Sequence, residues 1–145
     1  MAIKKPAQVI KELKAFQPGC EWLPIDEVHE DPDNQRFISE EDFESLKLSI
    51  TNFPEMMVLK GQGVIDANNV LQSSNQRHRA CKELGWKEFP VIRAASLSPE
   101  KLQELKVKDN LHSGTWDTDK LFKDWDLESL KDWNFNMGLL EVRAP

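Results

Sequence analysis

The stretch SSNQRHRACKELG, residues 73–85, concentrates the residue types best suited to hold an anion. Ser73, Ser74 and Asn75 carry side-chain donors, and Arg77 offers a planar fork of N–H groups that matches a phosphate. A strand that bends sharply into a helix at Asn75 leaves the first helical amides without intrahelical partners. The helix dipole adds partial positive charge at the same place. Residues 73–79 are therefore a candidate phosphate cradle. The plainer alternative is a Ser/Asn-capped surface helix with solvated arginines. Residue types alone leave both readings open.

Other residues compete for a role. His78 stands beside two arginines and could act as a general base on a phosphate ester; the expectation is a solvent-facing helix residue. His112, close to Asp109 and Asn110, could touch a metal or phosphate, but one His and one Asp make a weak metal set, and a loop residue is expected. His29 lies in an acidic loop and is expected to be exposed. The acids of residues 117–132 could bind Mg²⁺; capped, solvated helix faces are the expectation. Trp116, Trp125 and Trp133 could stack bases, yet the negative charge around them repels a nucleic-acid backbone. They are expected to anchor the core or a partner.

Composition narrows the setting. The chain has 145 residues and a net charge of −6, from 19 Lys and Arg against 25 Asp and Glu. That length suits one compact unit with a core, and that charge argues against coating DNA through a broad basic face. Charge is uneven, however. Residues 26–44 hold nine acids and one base, Arg36, whereas residues 75–93 hold five bases and two acids. A local anion site survives where a global one does not. Cys20 and Cys81 are far apart, with no metal-knuckle spacing and too few thiols for a disulfide scaffold, so reduced thiols in the cytoplasm are expected. No apolar run approaches the ~20 residues that cross a bilayer, and MAIKKPAQVIKELKAF reads as a helix rather than a signal peptide.

The elements that must position these residues follow from periodicity and punctuation. Pro6 opens a helix with Val9, Ile10, Leu13 and Phe16 on one face, and Pro18-Gly19 ends it. EWLPIDEV reads as a short strand and HEDPDNQRFIS as a loop. Ser39 is an N-cap with Asp42 three residues on, and Phe43, Leu46 and Ile50 form the buried stripe that follows. MMVL and VID read as a strand interrupted by Gly61-Gln62-Gly63, ANN as a turn, and VLQS as the returning strand. Asn75 to Leu84 is a helix stopped by Gly85, and FPVIRA is a strand. Ser98-Pro99-Glu100 starts another helix, with Leu102 and Leu105 facing inward. Asp117 or Thr118, then Asp126, cap two short helices near the end. The near-repeat there is shorter than the period of about 20 residues that a solenoid needs. The class is α+β, a small mixed β-sheet with packed helices. Three parts are expected: an N-terminal helix in residues 1–20, a main domain in 21–112, and a short Trp-rich helical end in 113–145.

Here the sequence resembles a family. SNQRHRACKELGWKEFPVIRA is similar to the signature of ParB-like N-terminal domains, which share their fold with sulfiredoxin. That signature is a Gly-Glu-Arg-Arg-x-Arg-Ala box, then a helix, Leu-Gly and a Val-Pro strand. Phage and prophage versions carry Gly-Gly-Asn-x-Arg-x-x-Ala. Asn75, Arg77, Arg79 and Ala80 match by position, as do Leu84-Gly85 and Pro90-Val91. DPDNQRFISEEDFESLKLSI resembles the family's opening loop and first helix, with Gln35 and Arg36 in place. KVKDNLHSGTWDTDKL resembles its Glu-Asn-x-x-Arg box, with Asp109-Asn110 for Glu-Asn. WDLESLKDW resembles ParB-like domains found with phage DNA methyltransferases. The match covers about residues 22–135.

The resemblance implies a pocket for a nucleoside triphosphate, CTP or ATP, or for a DNA phosphate. Arg77 and the backbone of Ser74 and Asn75 would hold phosphates, among Ser73, His78, Arg79, Gln35 and Arg36. Asp109 and Asn110 would lie near the phosphates and a Mg²⁺ ligated by Asp109. Neither zinc nor haem is expected. The implied role is DNA processing or modification in a phage or mobile-element setting. Nuclease or NTP-hydrolase activity follows by resemblance alone, and no catalytic residue is assigned. The alternative is a degenerate, non-catalytic adaptor docking a protein such as a DNA methyltransferase; a dimer is compatible with either. Three departures matter. Ser73 and Ser74 replace cradle glycines, which take positive φ freely. Residues 52–56 lack the family's glycine. Asn75 stands where sulfiredoxin has its cysteine, so sulfiredoxin chemistry is not expected, and Cys81 is read as core. A classical partition protein is not expected either, because it carries a helix-turn-helix domain and a dimerisation tail after this region.

Overall fold

The computed structural model describes residues 4–33, 38–111, 123 and 126–132. The chain divides into two units, Met1–Lys108 and Asp109–Pro145. Among the described residues no helix is long and apolar enough to cross a membrane.

The first unit is built on a three-stranded sheet in the order β1-β3-β2, from Glu21–Pro24, Glu88–Arg93 and Gly63–Ile65. β1 runs antiparallel to β3, with Glu21 opposite Val91, and β2 runs parallel to β3, with Gly63 opposite Val91. The expected α+β class with a small mixed sheet is what forms. β3 supplies the fully buried Phe89 and the buried Val91, as suits a central strand covered on its inner face. Helix α1 (Pro6–Phe16) buries Ile10 and Leu13. Its last apolar residue, Phe16, was expected on the inner face but is 51% exposed; it is the final residue of the helix.

Helix α2 (Glu40–Asn52) starts at Ser39, whose hydroxyl accepts the Asp42 amide at 3.1 Å, and it buries Phe43 and Ile50. The segment MMVL departs from the expected strand. It is a single helical turn, α3 (Met56–Leu59), burying Met57 and Val58. The carbonyls of Pro54 and Glu55 accept the amides of Met57, Val58 and Leu59 at 2.9–3.2 Å, so the turn begun at Pro54 simply continues. Four apolar residues in a row fit either element, and only the fold chooses.

VLQS likewise does not form a full strand. It makes two isolated bridges, Val70 with His29 and Leu71 with Ile65. The ANN turn is as expected: the Asp66 carboxylate accepts the amides of Asn68 and Val70 at 2.8 and 2.9 Å, and Asn69 has φ +62°. Gly63 is required by proximity, since a Cβ there would overlap Leu71 and reach 2.8 Å from the Phe89 ring.

Helix α4 (Asn75–Glu83) packs on α2 and buries His78, Ala80 and Cys81. Gly85 ends it at φ +88°. Helix α5 (Pro99–Leu111) is capped by Ser98, which accepts the Lys101 amide at 3.2 Å. Leu105, expected to face inward, is 38% exposed, and residues 99–108 are all exposed or half-buried. In the second unit, α6 (Leu127–Asp132) starts at Asp126, whose carboxylate accepts the Ser129 amide at 2.7 Å. His112, Trp116, Asp117, Thr118, Trp125 and Trp133 lie outside the described residues.

Candidate anion-binding site at the start of helix α4

The bend into α4 is made by Ser74, with φ +65° and ψ +27°. An L-residue in this left-handed region carries a steric cost that glycine escapes. The position keeps the backbone conformation expected of a cradle glycine, with a serine in it. Tertiary hydrogen bonds hold it there. Ser73 Oγ accepts the Val64 amide at 3.2 Å, and Ser74 Oγ donates to the Gln62 carbonyl at 3.4 Å. Both hydroxyls are thus turned to the β2 segment, and Ser74 makes no side-chain cap on its helix. The Ser74 carbonyl accepts the His78 amide at 2.9 Å and begins the helical ladder.

Asn75 ties the bend to the preceding loop, its Oδ1 accepting the Asp31 amide at 2.8 Å. Arg77 is half-buried. Its stem crosses Gly61, where a Cβ would stand 3.2 Å from Arg77 Cδ and 2.9 Å from Met57 Sδ. A side chain at residue 61 would crowd Met57 first and the Arg77 stem next. Arg79 turns elsewhere: it is exposed, pairs with Glu30 at 3.4 Å, and sits 5.9 Å from the Phe43 ring centre.

His78 is corrected from a solvent-facing residue to a core one. It is 1% exposed, its Nε2 lies 2.9 Å from the Ile25 carbonyl, and its ring meets Phe89 edge-on at 5.2 Å. That bond places the proton on Nε2. Burial pushes its pKa below the ordinary value, against the partial opposition of the Ile25 carbonyl, so the ring is neutral. Its packing partners, not its neighbours in sequence, decide its position. Cys81 is fully buried, as expected. Burial drives its thiol far above the ordinary range, and the positive charge of Arg77 offsets that only in part. A thiol so held is inert. His29 is exposed, as expected.

The structure therefore gathers Ser73, Ser74, Asn75 and Arg77 at one bend and sends Arg79 and His78 to other surroundings. Gln35 and Arg36 lie outside the described residues. Asp109 and Asn110 fall in the last turn of α5, in the second unit, with side chains outside the described set. Among the described residues no group of three or more His, Cys, Asp or Glu is placed to hold a metal. Two contributors escaped the sequence reading. Gly61 passes the Arg77 stem, which nothing local signals. Asp31 meets Asn75 through its amide, and the Asp-Pro-Asp run was its only trace.

No family model and no curated protein matches the chain. Solved structures do. The C-terminally truncated chromosome-partitioning protein ParB from Caulobacter crescentus, complexed with CTP-gamma-S, matches with a TM-score of 0.56 and 22% identity, over 68% of this chain and 56% of that one. A Pnob8-like ParB-N domain matches with a TM-score of 0.50 and 23% identity, over 63% of this chain and 36% of that one. The chain thus spans about half or less of the length of these structures. Its fold is that of a ParB N-terminal domain.

Proposed function

We propose that this chain is a phosphate-binding domain of the ParB-like kind, and that a nucleoside triphosphate, CTP first and ATP second, seats its phosphates at the start of α4. The observation that carries the reading is the left-handed backbone of Ser74. Strain of that kind persists where surrounding bonds hold it and is drawn to ligand sites. It sits at the mouth of a helix whose hydroxyl cap is turned away, one turn from an arginine whose stem passes close to Gly61. Amides, dipole and guanidinium together favour an oxyanion. A structure of this fold that holds CTP-gamma-S supports the choice of nucleotide. By resemblance alone, Asp109 with a Mg²⁺, Asn110, Gln35 and Arg36 are further candidate phosphate ligands. The proposed setting is cytoplasmic DNA processing or modification of phage type, with DNA as the second ligand. Nuclease-like or hydrolytic turnover is proposed by resemblance alone, and no residue is assigned to it.

Calorimetry tests this. CTP with and without Mg²⁺ should bind the wild-type chain, and Arg77→Ala should weaken binding at least tenfold, as expected for loss of a charge-assisted phosphate contact. Affinity for DNA should fall steeply with salt as counterions are released. A second reading, the protein-docking adaptor, is favoured by one fact: the Ser74 hydroxyl spends its donor on the Gln62 carbonyl, and the Ser73 hydroxyl is turned to the Val64 amide. No heat with CTP or ATP, together with stable capture of a purified DNA methyltransferase partner, would replace the first reading by the second.

A further inference from the structure

The ion pairs among the described residues are of two sorts. In most, the carboxylate side chain is 37–86% exposed, and such pairs contribute little. Asp31 differs: its side chain is 7% exposed and its Oδ2 lies 2.7 Å from Lys106 Nζ. The carboxylate is also fixed from within its own loop, since Oδ1 accepts the Asp33 amide at 2.9 Å. Burial pushes this carboxyl up, but Lys106 and the Asp33 amide outweigh it and hold it below its ordinary value. The pair joins two parts of the first unit that are otherwise held very differently. Residues 99–108 of α5 bury no side chain fully, and Leu105 and Val107 are 38% and 52% exposed. Burial alone cannot hold such a helix. Among the described residues Lys106 makes its one ion pair to the rest of the unit.

The same Asp31 donates its amide to Asn75, the first residue of α4. A buried negative charge, with a lysine fastened to it, is thus one contact away from the proposed phosphate seat. We propose that Asp31 is a built-in competitor of the bound anion: it latches α5 through Lys106 in the empty protein, and it yields Lys106 to a phosphate seated at the start of α4. A phosphate seated near the Asp31 carboxylate would be repelled by it. The phosphate carries the larger charge and presents more acceptor oxygens to the ammonium. Lys106 thereby becomes a binding residue supplied by α5. The transfer rests on the function proposed above; the latch does not.

The two halves separate experimentally in the 145-residue chain. Hydrogen exchange read by mass spectrometry reports the latch: Asp31→Asn and Lys106→Met should each speed exchange in residues 99–108 at least tenfold, with residues 88–93 unchanged. The double variant should add nothing further. Calorimetry with CTP and with inorganic pyrophosphate reports the transfer. Asp31→Asn should bind several-fold tighter than wild type and Lys106→Met several-fold weaker. Exchange unchanged in both single variants, or raised equally in residues 88–93, overturns the latch. Affinities that move in the same direction overturn the transfer. No binding of either probe by wild type overturns the function proposed above and the transfer with it, while the exchange data still decide the latch.

Discussion

Helices α4 and α5 both follow a serine, and they use it in opposite ways. Ser98 has its hydroxyl on the Lys101 amide at 3.2 Å and closes the start of α5. Ser74 turns its hydroxyl back to Gln62, takes a left-handed backbone, and leaves the start of α4 without a side-chain cap. The helix with the poorer start is the better buried: α4 hides His78, Ala80 and Cys81, whereas α5 hides no side chain fully through residue 108. A helix anchored by packing can leave its N-terminus open to a ligand. A helix without packing depends on its cap and on a few polar ties.

The comparison breaks first at His78. His78→Ala should cost about 3 kcal/mol in denaturant unfolding, since it opens a cavity and leaves the Ile25 carbonyl only the longer bond from the Val28 amide. The pH dependence should follow. Burial depresses the pKa of His78 in the folded chain, so below the ordinary imidazole value the unfolded chain takes up a proton that the folded chain refuses. Its stabilisation is full above that value and is lost as pH falls toward the depressed one. His78→Ala should flatten that part of the profile; an unchanged slope would place the titrating group elsewhere.

Smaller effects sharpen the contrast between the two serines. Ser98→Ala should cost about 1 kcal/mol, seen as faster exchange in the first turns of α5 and little change in β3. Ser74→Gly should do the reverse and stabilise by up to about 1 kcal/mol, because glycine takes positive φ without a steric cost. A loss on Ser74→Gly would mean that the hydroxyl bond to Gln62 matters more than the backbone strain. Last, Leu105→Ala should stay within about 0.5 kcal/mol, whereas an effect of 2 kcal/mol would show that α5 is buried in solution.

Legibility in the sequence tracked the range of the forces involved. The cap at Ser39, the turn at Asp66–Asn69, the stop at Gly85 and the strand through Phe89 and Val91 were all readable, because each is set by a few neighbouring residues. The bend at Ser73-Ser74 was readable as a candidate site for the same reason. MMVL was misread, because a short apolar run has no period to settle it. VLQS was over-read, because Leu71 meets Ile65 at a single bridge.

The chain's own order of residues determined where helices start and stop, that the class is α+β, and that Asn75 and Arg77 share one turn. Tertiary structure alone decided that His78 faces Phe89, that Gly61 passes the stem of Arg77, and that Asp31 meets both Asn75 and Lys106. The reason is physical. Caps, turns and periodicity act within a few residues along the chain. Burial and ion pairing act through space, between residues that only the finished fold brings to within a few ångströms.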